Sequence, residues 1–88
     1  MTDTATIRGA LRAFVNDNFL YMRPDLEFTD DDSLLSKGVI DSLGVMEIVG
    51  FVEEEWEFTV DPSEMTERNF GTLAAIADFV ATKAGAGG

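Results

Sequence analysis

An all-α domain of four helices, with a long first connection and a short third helix, is the fold that the sequence predicts. Apolar residues recur at roughly the 3.6-residue spacing of one helix face in three separate stretches. Residues that start helices, namely Asp3, Asp41, Pro62 and Thr72, stand ahead of the predicted elements. Extended character is confined to the short run Phe58-Thr59-Val60. At 88 residues, with 45% hydrophobic and 26% charged side chains, the chain suits one globular domain with a modest core better than a disordered segment.

The first helix is expected from about Thr4 to Phe19, because Ile7, Leu11, Phe14 and Val15 share a face and Asp3 or Thr4 is available as N-cap. Asn16, Asp17 and Asn18 weaken its far end, and Pro24 argues against continuation beyond Met22. No period holds from Tyr21 to Asp41, yet Leu26, Phe28, Leu34, Leu35, Val39 and Ile40 recur often enough to pin this connection onto a core. Long irregular connections are uncommon in compact domains and tend to be functional, which directs attention to the far end, Asp41-Ser42. The second helix is expected from Ser42 to about Trp56, with Asp41 as N-cap. Pro62 suits the first turn of a short third helix, Ser63 to about Thr66. Asn69, Phe70 and Gly71 then break the pattern before Thr72 caps a last helix with Leu73, Ile76, Ala77 and Val80 on one face. Gly85-Ala86-Gly87-Gly88 is too poor in side chains to pack, so the expected organisation is a single domain over residues 1–84 and a flexible Gly-rich tail at 85–88.

Charge narrows the choice of partners. With 17 Asp and Glu against 6 Lys and Arg, a net charge of -11 repels nucleic acid and complements basic protein surfaces. No stretch approaches the roughly 18 apolar residues of a membrane span, and the start Met1-Thr2-Asp3-Thr4 lacks the basic residues that open a secretory signal. A cytoplasmic monomer with no membrane partner is therefore expected. The absence of Cys and His removes disulfides, the usual zinc sites and the Ser-His and Cys-His nucleophilic arrangements, so neither a metal site nor an independent catalyst is expected. Asp30-Asp31-Asp32 lacks the alternating ligands, Gly and later Glu of a calcium loop, and reads as a solvated acidic turn capping a short helical segment near Ser33. Glu53-Glu54-Glu55 reads as a solvated helix face.

On a wheel of about 100° per residue, the second helix separates its side chains into two groups. Val45, Ile48, Val49, Val52 and Trp56 gather on the side that a core would claim. Leu43, Met46, Glu47, Gly50 and Glu54 gather opposite, where a helix that only packs should be polar throughout. Leu43 and Met46 either fill gaps under the long connection or begin a docking surface. Gly50 favours docking, since a Gly inside a helix costs roughly 1 kcal/mol relative to Ala and suits close approach of another chain.

Asp41-Ser42-Leu43 alone fits ordinary helix capping. The longer stretch from Asp32 through Gly38-Val39-Ile40-Asp41-Ser42-Leu43, with Glu47 and Glu53-Glu54-Glu55-Trp56 after it and Asn69-Phe70-Gly71-Thr72-Leu73 further on, resembles the acyl carrier protein family from the first helix to Val80. The resemblance implies that fold, and it implies that Ser42 receives a covalent 4′-phosphopantetheine from coenzyme A. It places Asp41 in the recognition motif of the phosphopantetheinyl transferase. A hydroxyl at a helix start is physically suited to this, because the new phosphodiester lies where backbone N–H groups and the helix dipole favour negative charge. Gly44, where many members carry Asp or another polar residue, and Trp56, where Phe is common, depart from the family pattern; Gly44 is expected to loosen the first turn of the second helix.

A freestanding carrier for a multienzyme biosynthetic pathway is thus expected, holding acyl groups as thioesters. Its implied partners are a phosphopantetheinyl transferase, an acyl-loading or adenylate-forming enzyme, and downstream synthase or transferase enzymes that meet the stripe Leu43, Met46, Glu47, Gly50 and Glu54. An aminoacyl carrier, D-alanyl-carrier-like or peptidyl, loaded by an adenylate-forming ligase is the alternative. An acidic helical interaction module without a prosthetic group, in which Ser42 is only part of a cap, is the alternative of another class.

Overall fold

The carboxylate of Asp3 accepts the Thr6 N–H at 2.7 Å and starts α1, Thr4–Val15. Ile7, Leu11 and Val15 of this helix are buried and pack on α4. The computed structural model describes residues 3–21, 23 and 25–86. Beyond Val15 the ladder widens into a π-turn, Asn16–Leu20, where the sequence predicts continued α-helix to Phe19. The Asn18 side-chain amide donates to the Phe14 carbonyl at 2.8 Å, a side-chain competitor for the ladder at the position where it loosens. Met22 and Pro24, where the first helix is expected to have ended, lie outside the described residues.

The long connection is fastened along its middle. Arg12 donates to the Phe28 carbonyl and to Asp30, at 3.3 and 2.7 Å, and its guanidinium lies 4.3 Å from the centre of the Phe28 ring. Ala74 N–H donates to the Asp30 carbonyl and Leu34 N–H to the Gly71 carbonyl, both at 2.9 Å, tying the connection to the start of α4. Asp30 therefore joins α1 to α4, and of the acidic triplet Asp31 alone is exposed, Asp30 and Asp32 being half-buried. Of the residues expected to pin the connection, Phe28, Leu34, Val39 and Ile40 are buried and Leu26 is half-buried. Leu35 is 46% exposed, contrary to expectation, because the turn that sinks Leu34 carries its neighbour outward.

Helix α2 spans Ser42–Trp56 with Asp41 as N-cap, as its sequence predicts. Ile48, Val49 and Val52 are buried, while Val45 and Trp56 are half-buried at the edge of the core. A row of rings joins α2 to α1: Phe14 stacks on Phe51 at 4.2 Å, meets Phe19 edge-on at 5.9 Å, and Phe51 meets Trp56 edge-on at 5.7 Å. Phe51 belongs to neither stripe of the wheel and takes its role from α1. Glu57 ends α2 in the left-handed region at φ 52°, with Phe58 N–H returning to the Glu53 carbonyl at 3.3 Å. Glu53 departs from the solvated reading, since its carboxylate accepts the Val60 N–H at 2.8 Å and seats the segment after the helix.

The short third element divides in two. Pro62–Glu64 forms one 3₁₀ turn closed by a capping box, in which Asp61 accepts from Ser63 N–H and Glu64 accepts from Asp61 N–H, each at 2.9 Å. Helix α3, Glu67–Phe70, follows with Thr66 as N-cap, so Asn69 and Phe70 lie inside a helix rather than in a break. Phe70 is buried against Phe79 with ring centres 5.2 Å apart, and this contact holds α3 to the bundle. Thr72 then caps α4, Leu73–Ala86, its hydroxyl accepting the Ala75 N–H at 3.0 Å, and Leu73, Ile76, Ala77 and Val80 are all buried. The result is an all-α bundle. Gly85 and Ala86 fall within α4, and Gly87 and Gly88 of the expected tail lie outside the described residues.

Two of these turns carry a pH dependence. The carboxylate of Asp32 is held below the usual range first by the Thr29 N–H and then by Lys37, and that of Glu64 first by the Asp61 N–H and then by Lys83. Groups with depressed folded values contribute stability that is present above the ordinary carboxylate range and lost as pH falls through the folded values. Asp32→Asn with Glu64→Gln should therefore lower the melting temperature at neutral pH and approach the parent as pH falls below that range; a difference that persists undiminished in acid would assign the loss to packing.

Candidate functional site

The site begins with a buried anchor. Leu34 is fully buried, and its carbonyl accepts the N–H groups of Val39 and Ile40 at 2.9 and 3.3 Å. Gly38 closes this turn at φ 77°, a conformation that side chains disfavour. Val39 and Ile40 then enter the core and Asp41 emerges from it.

Asp41 is extended, at φ -112°, and its carboxylate accepts the Gly44 N–H at 2.9 Å while its carbonyl accepts the Val45 N–H at 3.1 Å. Capping is the work of Asp41, which leaves the exposed Ser42 at the first helical position with its hydroxyl not required for that task. Helix geometry leaves the Ser42 and Leu43 N–H groups without partners inside α2, so the positive end of the helix faces the same side.

Gly44 does not loosen this turn. It is buried, and a Cβ there would stand 2.9 Å from Ile40 Cβ and 3.2 Å from the Phe19 ring. The glycine lets the connection and the π-turn close directly on the head of α2. Gly44 and Phe51 are seven residues apart, about 20° on the wheel, and define an edge facing α1 that a division into core and solvent faces overlooks. A Cβ at Gly50, by contrast, would meet nothing within 4 Å beyond the backbone of its own helix.

The other residues of the predicted stripe share one exposed face. Leu43 is 75% and Met46 54% exposed, and Glu47, Gly50 and Glu54 are exposed beside them. Leu43 and Met46 thus fill no gap under the connection. Two depressions flank the head of α2. One, of about 350 Å³, is lined by Phe19, Arg23 and Gly38 to Asp41. The second, of about 130 Å³, lies between Leu35, Val45, Met65 and Phe70 and is mainly apolar. An exposed primary hydroxyl, unpartnered N–H groups beside it and open space on both sides fit a covalently attached phosphodiester arm.

The family model described as "Phosphopantetheine attachment site" matches residues 18–80, a span that holds the connection, α2, α3 and most of α4. "Lincomycin biosynthesis protein LmbN" of Streptomyces lincolnensis is 42% identical over 57 residues, which are 65% of this chain and 20% of that protein. The chain therefore spans about a fifth of the length of this relative. No solved structure matches it significantly. With the family model covering well over half of the chain and the helical architecture in agreement, the protein belongs to the phosphopantetheine-attachment, or acyl carrier protein, family, whose members carry a covalent 4′-phosphopantetheine.

Proposed function

We propose that Ser42 carries the phosphopantetheine and that the protein serves a biosynthetic pathway as a carrier of acyl groups. The observation that supports this most directly is the division of labour at the head of α2, where Asp41 caps the helix and Ser42 is exposed beside it. In the modification, Ser42 Oγ forms a bond to phosphorus of coenzyme A, the pyrophosphate link breaks, adenosine bisphosphate leaves, and the hydroxyl proton passes to the transferase. The helix start offsets the new negative charge. When bound, the arm supplies the thiol that holds cargo as a thioester, and a chain without Cys offers no side-chain thiol to compete.

Cargo of limited size is favoured by the apolar depression beside α2, whose 130 Å³ falls short of the roughly 300 Å³ at which small-molecule pockets begin. A short acyl group or an amino acid suits that space, so aminoacyl carriage after loading by an adenylate-forming ligase is the second reading. The carrier itself needs no catalytic residue in either case. Its use of coenzyme A implies a cytoplasmic location, and no helix among the described residues is long and apolar enough to cross a membrane. Incubation with coenzyme A and a broad-specificity transferase tests the proposal: intact mass should rise by one phosphopantetheine. An unchanged mass would reject it in favour of an acidic interaction module.

The exposed stripe Leu43, Met46, Glu47, Gly50 and Glu54 is the proposed docking face for the transferase, the loading enzyme and downstream enzymes. A partner gripping it sits next to Ser42, within reach of the arm. Attraction between exposed charges is screened over about 8 Å at physiological salt, so Glu47→Lys with Glu54→Lys should slow association and flatten its salt dependence. Met46→Ala should mainly speed dissociation. Both should leave the circular dichroism spectrum intact, and modification rates equal to the parent in both variants would move recognition to another surface.

A further inference from the structure

We propose that Arg23 is a positioning residue for the modification of Ser42, acting as a strap across the turn that presents it; this rests on the assignment of Ser42 as the attachment point. The use made of this cation is unusual for so acidic a chain. Arg8 and Arg12 pair with Asp30, Lys37 with Asp32 and Lys83 with Glu64. Arg23 instead donates through Nη2 to two main-chain oxygens, the carbonyl of Gly38 and, at 3.2 Å, that of Val39. These contacts span 15 and 16 residues and bring the segment after the π-turn against the approach to Asp41.

The turn is held from both sides. Its N–H groups, those of Val39 and Ile40, go inward to the Leu34 carbonyl, and its Gly38 and Val39 carbonyls go outward to Arg23. Hydrogen bonds from a charged donor are roughly twice as strong as neutral ones. The contact falls where the left-handed Gly38 leaves the backbone freest to pivot, three residues before the cap that sets the direction of α2. Phe19, from the π-turn itself, lies against Gly44 and lines with Arg23 the depression beside Gly38 to Asp41. Without the strap, Asp41 and Ser42 would keep their covalent order and their helix but lose a single presented geometry. Displacements of about 1 Å at a reacting group cost as much as a hundredfold in rate.

Arg23→Met, which removes both donors and the charge, and Arg23→Lys, which keeps a charged donor, test this against the parent protein. In Arg23→Met, hydrogen exchange of the Val39, Ile40 and Gly44 amides should accelerate several-fold while those of Leu11 and Val80 in the core keep the parent rates. Transfer from coenzyme A should show kcat lowered about tenfold or more with the KM for coenzyme A unchanged, and Arg23→Lys should recover part of both losses. Parent-like exchange at the turn, or parent-like kcat in Arg23→Met, would overturn the proposal, as would equal acceleration of exchange across the whole bundle. Failure of the parent protein to be modified at all would instead reject Ser42 as the attachment point, and the exchange measurement would still decide whether the strap exists.

Discussion

Ser42→Ala is expected to keep its unmodified mass under conditions in which the parent gains one phosphopantetheine. The loss should be complete because the other serines stand in different settings. Ser33 Oγ accepts the Ser36 N–H at 3.2 Å, and Ser63 Oγ donates to Asp61 at 2.7 Å within the 3₁₀ turn. Ser36 is exposed but lies in the connection, away from the start of any helix. The fold should not change, since the N-cap of α2 is Asp41, and Ala is well tolerated inside a helix. Melting temperature and circular dichroism should match the parent, so that the absent mass increase reports chemistry alone. A variant modified as fully as the parent would refute the assignment of Ser42. The companion change Asp41→Ala should act differently: removal of a cap costs about 1 kcal/mol, so it should lower both stability and the rate of modification without abolishing the latter.

Leu34→Ala is expected to give the largest loss of stability, about 2–5 kcal/mol, from a total of about 5–15 kcal/mol for a domain. Leu34 is fully buried although it lies in an irregular connection, and its carbonyl holds the turn that leads to Asp41. Truncation leaves a cavity beneath that turn. The denaturant midpoint should fall sharply, and the folded fraction that remains should be modified more slowly than the parent. Trp56→Ala should cost less, because its ring is half-buried and meets Phe51 by an edge rather than filling the centre of the core. Urea unfolding of the two variants side by side decides the order. A midpoint for Leu34→Ala near that of the parent would show that the connection rests on the bundle without contributing to it.

The arrangement suits the proposed attachment at Ser42, which asks a long irregular segment to present one hydroxyl. Its main chain is bonded to the head of α4, its apolar residues lie in the core, and its last turn is gripped from inside by Leu34 and from outside by Arg23. Exposed α2 then extends from that fixed point, so that Leu43, Met46 and the acids of the proposed docking face stand in constant relation to Ser42.

Sequence alone determined what local chemistry governs. Asp41 and Thr72 cap α2 and α4 because their side-chain oxygens satisfy N–H groups three residues ahead, a rule that needs no tertiary partner. The apolar periods of α1 and α4 and the centre of the α2 core stripe follow in the same way from helix geometry. Tertiary structure decided everything that depends on a residue from another element. Leu34 and Leu35 are alike in sequence, and only the turn against Gly71 and Val39 buries one and exposes the other. Gly44 reads as a weak point until Ile40 and Phe19 occupy the space its side chain would need. Glu53 and Asp30 read as solvated acids until Val60 N–H and the two arginines of α1 claim them, and Arg23 has no visible role until the chain brings it to Gly38. Spacing rules reach about four residues along the chain, whereas these contacts join residues whose proximity the packing of the bundle alone creates.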